Sequence, residues 1–173
     1  MTLLRTIFIE GMDGTGKSTL ASQIAQRTGR HLITLGGKIT AEEAPTYLFA
    51  QLQFARQGGF VVDRCTAMSQ LVYGLARGDQ DLLTSEFAAW LTEVLPATGA
   101  SLVYCRTEKP LPQVSPHDDA ASLELVETQS RLIRSLYEVI FVMVKKTGVP
   151  VYSYDMAVDT PAELIARIQG HET

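Results

Sequence analysis

The sequence of 173 residues has little cysteine, no long apolar run and no excess of positive charge. Its two cysteines, Cys65 and Cys105, lack the Cys-x-x-Cys or Cys/His spacing of a metal or redox site, which favours buried free thiols. No apolar run approaches the roughly 20 residues that cross a bilayer, and the first residues do not resemble a secretory signal, so we expect a cytoplasmic protein without a membrane partner. The formal net charge of -4 argues against long-range attraction to nucleic acid, although it does not exclude a local basic groove.

The sequence also contains no internal repeat, charge block or low-complexity tract, so we expect residues 1–173 to form a single domain. Short β-branched or aromatic runs predict five strands, at residues 5–10, 31–35, 60–62, 101–105 and 149–154. Helical spacing of apolar residues fills the intervals, at residues 17–27, 41–57, two pieces within 65–98, 119–146 and 161–168. This alternation predicts an α/β fold in three layers, with a doubly wound parallel sheet of five strands.

A phosphate-binding motif lies between the first predicted strand and the first predicted helix. Residues 11–18 read Gly-Met-Asp-Gly-Thr-Gly-Lys-Ser and match G-x-x-x-x-G-K-[ST] in full. In such a loop, backbone N–H groups and the positive end of the following helix bind nucleotide phosphates. The residues predicted to bind the phosphates of ATP are Gly11, Gly14, Thr15, Gly16, Lys17, Ser18 and Thr19. Within this set, Lys17 is expected to neutralise β- and γ-phosphate oxygens and the Ser18 hydroxyl to ligate Mg²⁺.

Other classes of protein with this loop fit the sequence less well. The Asn-Lys-x-Asp and Asp-x-x-Gly sequences of switch GTPases are absent, and 173 residues leave little room for an ATPase motor. We therefore expect a small kinase with the P-loop kinase fold. A non-catalytic nucleotide-binding regulator is the remote alternative.

Two segments resemble the thymidylate kinase family. Residues 8–19, Phe-Ile-Glu-Gly-Met-Asp-Gly-Thr-Gly-Lys-Ser-Thr, resemble the opening of these kinases, including the aspartate inside the loop. Residues 61–64, Val-Val-Asp-Arg, followed by Ser69 and Tyr73, are similar to the family's Asp-Arg-Tyr segment with its downstream serine and tyrosine. Tyr137 on the long predicted helix is a weaker match. The resemblance implies a thymidylate kinase-like phosphotransferase that moves the γ-phosphate of ATP to a pyrimidine nucleotide, nucleoside or related acceptor, and it suggests a homodimer.

The resemblance also implies roles for individual residues, with Lys17, Asp13, Arg64 and Asp63 as the catalytic set. Asp13 would face the acceptor, Asp63 would support Mg²⁺ and its water shell, and Arg64 would bridge donor and acceptor phosphates. A planar guanidinium suits charge that is spread over the oxygens of a transferring phosphoryl group. The alternative for the Asp63–Arg64 pair is a simple surface ion pair. The candidates for binding the acceptor are Asp13, Arg64, Ser69, Tyr73, Arg106 and Tyr137.

The sequence departs from the family where the acceptor phosphate is held. The family's Arg-Glu-Pro segment after the second strand and its Ala-Asp-Arg segment on the following helix are missing, and Arg56 comes a little late. The lid-like segment at residues 106–119 offers only Arg106 and Lys109. Because cations must compensate an acceptor phosphate when water is excluded, we infer a less charged acceptor than dTMP.

Two acceptors of lower charge fit this inference. One is a nucleoside or another alcohol, and the other is a hydroxymethyl pyrimidine such as 5-hydroxymethyluracil in DNA, as in phage kinases that resemble this family. For a hydroxyl acceptor, Asp13 becomes a candidate general base, or a hydrogen-bond partner of the sugar.

Several charged residues keep two interpretations. His117, Asp118 and Asp119 are consecutive, and we expect them to cap the long helix rather than to bind a metal. The alternative is a role in closing over the acceptor. Arg131 and Arg134 lie one turn apart on that helix and face either the phosphates or solvent.

Overall fold

A computed structural model describes residues 4–35, 39–40, 42–78, 82–107 and 120–171. Its elements follow in the order β1 (Ile7–Glu10), α1 (Lys17–Thr28), β2 (His31–Thr34), α2 (Ala44–Gln57), β3 (Phe60–Asp63), α3 (Thr66–Arg77), α4 (Leu82–Ala89), a π-helical turn (Trp90–Val94), a 3₁₀ helix (Leu95–Thr98), β4 (Ser101–Arg106), α5 (Ala120–Lys146), β5 (Val151–Asp155) and α6 (Pro161–Gly170). The five strands form one sheet in the order β2-β3-β1-β4-β5, and every pair of neighbours is parallel. The predicted α/β class and five-stranded parallel sheet are confirmed.

Both faces of the sheet are covered, which accounts for the apolar runs in its strands. Along β1, Phe8 contributes to one buried cluster while Ile7 and Ile9 contribute to the other. The first cluster draws on α2, α3, α4 and α5, and the second on α1 and α6. Because successive strand residues point to opposite faces, this alternation produces the predicted three layers.

Two helices differ from the prediction: α2 begins later than predicted, and α5 is interrupted. Helix α2 begins at Ala44 rather than at residue 41, because Thr40 and Glu43 close a separate turn first: the Glu43 N–H bonds to the Thr40 hydroxyl and the Thr40 N–H to the Glu43 carboxylate. Helix α5 is predicted as one continuous helix, but Gln129 has non-helical torsion angles and divides it. Among the described residues, no helix combines the length and the hydrophobicity of a membrane span.

The topology places the charged motifs at one edge of the sheet. Strand β1 is central, and its end lies beside the end of β3, with Ile9 in register with Asp63. The loop after β1 therefore emerges next to the Asp63–Arg64 pair. In parallel α/β sheets this carboxyl edge is where ligands bind.

Candidate active site

The phosphate loop has the backbone geometry that its sequence predicts. Gly11 has a φ of 151°, and a Cβ at this position would overlap with the backbone carbonyl oxygen of Cys105 on β4. Gly16 is the N-cap of α1 in the left-handed conformation, with a φ of 75°. Only glycine combines such torsion angles with such close approach at low cost.

The N-terminus of α1 is left without a side-chain cap. The N-cap residue, Gly16, has no side chain that could accept hydrogen bonds from the first N–H groups of the helix. The first turn also carries no acidic residue. The free N–H groups and the helix dipole together form an anion-binding site. This arrangement fits a bound phosphate chain.

Lys17 is held against the loop by two oxygen acceptors. Its side chain is 5% exposed, and its Nζ lies 2.8 Å from the Met12 carbonyl oxygen and 3.4 Å from Asp13 Oδ1. An ammonium group beside the uncapped helix end adds a full positive charge where phosphate oxygens would lie.

Asp13 connects the phosphate loop to the end of β3 and to α3. Arg64 Nη2 donates to Asp13 Oδ1 at 2.7 Å, and the Tyr73 hydroxyl donates to Asp13 Oδ2 at 3.0 Å. With Lys17, three side chains from three parts of the chain converge on one carboxylate. We call Asp13, Lys17, Arg64 and Tyr73 the Asp13 cluster.

The electrostatics of the Asp13 cluster keep Asp13 and Arg64 ionised and Tyr73 neutral. Burial by itself would raise the pKa of Asp13, but the charges of Lys17 and Arg64 and the hydrogen bonds from Arg64 and Tyr73 lower it. Burial also opposes the charge of Arg64, yet Asp13 and Glu10 raise the pKa of that guanidinium. Burial and the same two carboxylates raise the pKa of the Tyr73 phenol well above its usual value. Near neutral pH, Asp13 is therefore a carboxylate of low basicity facing two cations.

Asp63 is a residue of the site with a buried carboxylate oxygen that lacks a hydrogen bond. The residue is 4% exposed, and its Oδ1 is buried without a hydrogen-bond partner in the described part of the chain. A buried carboxylate oxygen in this state requires a cation or a water to compensate its lost hydration. Oxygen ligands of this kind suit Mg²⁺, and the exposed Ser18 hydroxyl at the start of α1 is a second such donor.

Glu10 is a functional-site residue that the sequence analysis did not assign. The residue is fully buried and accepts hydrogen bonds at both carboxylate oxygens. Oε1 accepts from the Gly11 N–H at 2.9 Å and the Tyr137 hydroxyl at 3.2 Å; Oε2 accepts from the Cys65 N–H at 2.9 Å and the Ser69 hydroxyl at 2.6 Å. The Glu10 node, as we call this set, ties the phosphate loop to α3 and α5.

The structure divides the predicted acceptor residues between these two sets. Arg64 and Tyr73 contact Asp13, whereas the hydroxyls of Ser69 and Tyr137 bond to Glu10. Arg106 ends β4 with an exposed side chain. The acceptor-binding role of these residues stays a prediction.

Other sequence predictions fall at or beyond the limits of the described residues. The lid-like segment is described only as far as residue 107, so Lys109, His117, Asp118 and Asp119 lie outside the described residues. Arg131 is exposed and Arg134 is partly buried on α5. No group of three or more metal-ligating residues occurs among the residues whose positions are described.

No protein-family model matches the sequence, and no curated protein matches it significantly. Solved structures do match, at low identity. The YorR protein of Bacillus subtilis, in complex with phosphorylated GDP, is 18% identical over 96% of this chain and 94% of its own, with a TM-score of 0.66. Thymidylate kinase from Candida albicans is 16% identical over 98% of this chain and 91% of its own, with a TM-score of 0.62. Deoxyadenosine kinase from M. mycoides, with bound dCTP, is 14% identical over 96% and 99%, with a TM-score of 0.53.

The chain has the fold of the thymidylate kinase-like P-loop kinases. In this P-loop kinase fold, the only sequence signal for Glu10 was its place as a charged residue at the end of an apolar strand. A charge that is predicted to be buried must be paired, but three of the four partners of Glu10 lie 55 to 127 residues away in the chain. The sequence therefore indicates that Glu10 has partners without identifying them.

Proposed function

We propose that this chain is an ATP-dependent, Mg²⁺-requiring phosphotransferase of the thymidylate kinase-like group. Its acceptor is a pyrimidine nucleotide, a nucleoside or a related molecule. The observation that supports this proposal best is the convergence of Lys17 and Arg64 on Asp13 beside the uncapped start of α1. A nucleotide-binding regulator would need the phosphate loop but has no need of a second cation at the end of β3.

The donor side of the proposed reaction uses the phosphate loop. Backbone N–H groups between Gly11 and Thr19 bind the phosphates, and Lys17 compensates charge on the β- and γ-phosphates. Ser18 and Asp63 are the residues that would hold Mg²⁺, directly or through its waters, and Asp63 Oδ1 has the unfilled bonding capacity that this role requires. When bound, the ion supplies charge compensation at the phosphate oxygens.

Arg64 supports the transfer step itself. Phosphoryl transfer passes through a loose transition state in which charge is spread over the equatorial oxygens, so preorganised cations contribute most of the catalysis. The Arg64 side chain is 32% exposed and its pKa is raised, which keeps it charged and still reachable by a phosphate. Its bond to Asp13 holds it beside the loop before any ligand binds.

The properties of Asp13 bear on the acceptor. With a lowered pKa, Asp13 suits a hydrogen bond from an acceptor hydroxyl better than it suits full proton abstraction. An acceptor phosphate brings its own nucleophilic oxygen and needs no such base. Along α2, however, Arg56 is the only basic residue and is exposed, which favours an acceptor of low charge. This second observation favours the nucleoside within the proposed set of acceptors, and it also supports the alternative in which the acceptor is 5-hydroxymethyluracil in DNA.

The test is a transfer assay with ATP labelled at the γ-phosphate, Mg²⁺ and three acceptors: dTMP, thymidine and DNA that contains 5-hydroxymethyluracil. We expect label on one of the three, and transfer lowered by about a hundredfold to a thousandfold in the Lys17→Ala variant. Label on the DNA alone would assign the alternative function. Binding of ATP without transfer to any acceptor would contradict the proposed kinase activity and favour the regulator.

A further inference from the structure

Helix α2 carries a buried amide that neither the phosphate loop nor the acceptor candidates account for. Gln51 is fully buried, whereas its neighbours on the helix are mostly exposed or half-buried. Its Nε2 donates to the Arg64 carbonyl oxygen at 3.0 Å, and its Oε1 accepts from the Thr66 N–H at 3.0 Å. One side chain therefore bonds the backbone on both sides of Cys65.

The backbone that Gln51 binds is strained. Arg64 has a φ of 88°, the only positive φ among the described residues other than glycine. A long side chain in this conformation is disfavoured and persists only where surrounding contacts fix it. Such strain is most often found where a side chain has a task to perform.

The segment from Arg64 to Thr66 is fixed from two directions. From β1, the Ile9 carbonyl oxygen accepts from the Arg64 N–H at 3.0 Å, and Glu10 accepts from the Cys65 N–H at 2.9 Å. From α2, Gln51 supplies two further bonds. Among the hydrogen bonds described for this segment, one holds the carbonyl that follows the strained φ, and it comes from Gln51 Nε2.

The direction of the Arg64 side chain depends on that φ. Rotation about the N–Cα bond to a relaxed negative φ moves Cβ relative to the neighbouring peptide groups, so the guanidinium would leave the backbone in another direction. In the strained conformation the guanidinium reaches Asp13 at 2.7 Å. The contact between Arg64 and Asp13 therefore depends on the strained φ of Arg64.

We propose that Gln51 is a positioning residue that holds the strained backbone of Arg64, so that the guanidinium faces the phosphate loop. The kinetic part of this inference rests on the proposed function, in which Arg64 contacts the transferring phosphate. The geometric part does not depend on the activity. A substitution of Gln51 tests the Arg64 backbone more specifically than a substitution of Glu10 would, because Glu10 also bonds the phosphate loop and α5.

A crystal structure of the Gln51→Leu variant tests the geometry. Leucine fills a similar volume but makes neither hydrogen bond. We expect Arg64 to relax to a negative φ and its guanidinium to move out of hydrogen-bond reach of Asp13. The matched control is Gln57→Leu in the exposed last turn of α2. A Gln51→Leu structure that retains the positive φ and the contact with Asp13 would overturn the proposal, whatever the protein catalyses.

Kinetics separate positioning from general destabilisation. With MgATP and dTMP as the probes, we expect Gln51→Leu to lower kcat by about ten- to a hundredfold, because cations at the transferring phosphate act on the rate, and to leave KM for ATP nearly unchanged. Adding Gln51→Leu to Arg64→Ala should cost little more, because the two residues act as one unit. Fully additive losses would contradict the proposal. Failure of the wild type to use dTMP would exclude that one acceptor from the proposed set, and the crystal structures would still decide the role of Gln51.

A second variant, Gln51→Glu, covers the case in which Gln51→Leu fails to fold. A carboxylate can accept from the Thr66 N–H but cannot donate to the Arg64 carbonyl, whereas the protonated acid can do both. Burial raises the pKa of such a carboxyl, so we expect the contact between Arg64 and Asp13 to be lost at about pH 8 and restored at about pH 5.5. The titratable groups of the bound segment do not obscure this change, since Arg64 stays protonated and burial raises the pKa of the Cys65 thiol.

The readouts for Gln51→Glu are crystal structures at both pH values and, where the wild type transfers phosphate to dTMP, its turnover relative to wild type. The control Gln57→Glu adds the same charge to the exposed end of the helix and should show no such pH dependence. Recovery at low pH in Gln51→Glu alone supports the positioning role. An Arg64 conformation that is identical at both pH values would overturn it.

Discussion

Two carboxylates only three positions apart, Glu10 and Asp13, serve different ends in this molecule. Glu10 is fully buried, and half of its four donors are backbone N–H groups. Asp13 is 19% exposed, and its donors are the side chains of Lys17, Arg64 and Tyr73. Backbone donors cannot turn away from their acceptor without distortion of the fold, but side chains can exchange one partner for another. The Glu10 node therefore supports the structure, whereas the side chains of the Asp13 cluster can exchange their bonds for bonds to a ligand.

The largest effect on activity is expected from a substitution that removes one member of the Asp13 cluster and leaves the Glu10 node intact. Lys17→Ala should lower phosphoryl transfer by about a hundredfold to a thousandfold, because a preorganised charge at the transferring group is lost. Labelled ATP and the acceptor that the wild type uses provide the measurement. The control is Lys145→Ala in the exposed last turn of α5. Equal turnover in the two variants would remove Lys17 from the proposed mechanism.

The next largest effect is expected on stability, where substitutions of the two carboxylates can be compared directly. Glu10→Gln sets an amide NH₂ against buried donors, so we expect a loss of about 1–3 kcal/mol in the free energy of unfolding. Asp13→Asn should destabilise the fold by less than about 1 kcal/mol, because Asp13 and two of its partners, Arg64 and Tyr73, are only partly buried. Urea unfolding followed by circular dichroism gives both values. If the two variants unfold at the same urea concentration, the distinction between node and cluster is wrong.

A smaller effect is expected when the hydroxyl group of either tyrosine that bonds these carboxylates is removed, and the two tyrosines should differ in it. Tyr137 is fully buried, and Tyr137→Phe should cost about 1 kcal/mol because Glu10 loses a buried hydrogen bond. Tyr73→Phe should cost less in stability and should change turnover more, since Tyr73 bonds Asp13. The same unfolding and transfer assays apply. Equal stability losses with equal turnover would show that the two hydroxyls have one common role.

The smallest effect is the pH dependence of stability contributed by Asp13. Its pKa is lowered from 3.8 in the folded state, so the carboxylate stabilises the fold fully above that value. The contribution is lost as the pH falls below 3.8 towards the folded-state pKa. We therefore expect the stability advantage of the wild type over Asp13→Asn to shrink on acidification, as measured by urea unfolding at successive pH values. An advantage that grows as the pH falls would have the wrong sign.

Local patterns in the sequence predict much of this molecule. The glycine spacing, Lys17 and the strand before them predict the phosphate loop, and the apolar run before Asp63 places that residue at the sheet edge. The π-helical turn at Trp90–Val94 has no comparable signal and was predicted only as helix. Helix α2 begins three residues late because a polar turn at Thr40 and Glu43 competes with its first turn.

The bonds that organise the site could not be predicted from sequence. Arg64 and Asp13 are 51 positions apart, and Tyr137 and Glu10 are 127 apart, so no local period relates them. Gln51 stands in a helix whose apolar spacing gives no reason to expect a buried amide. Its role becomes visible only once the topology brings α2 against the end of β3.

The close approach of Gly11 to the Cys105 carbonyl oxygen leaves no room for a side chain at the first position of the phosphate loop. A larger residue there would have to push β4 away from the loop, and β4 lies between β1 and β5 in the sheet. The start of the loop therefore tolerates no substitution that leaves the sheet as it is.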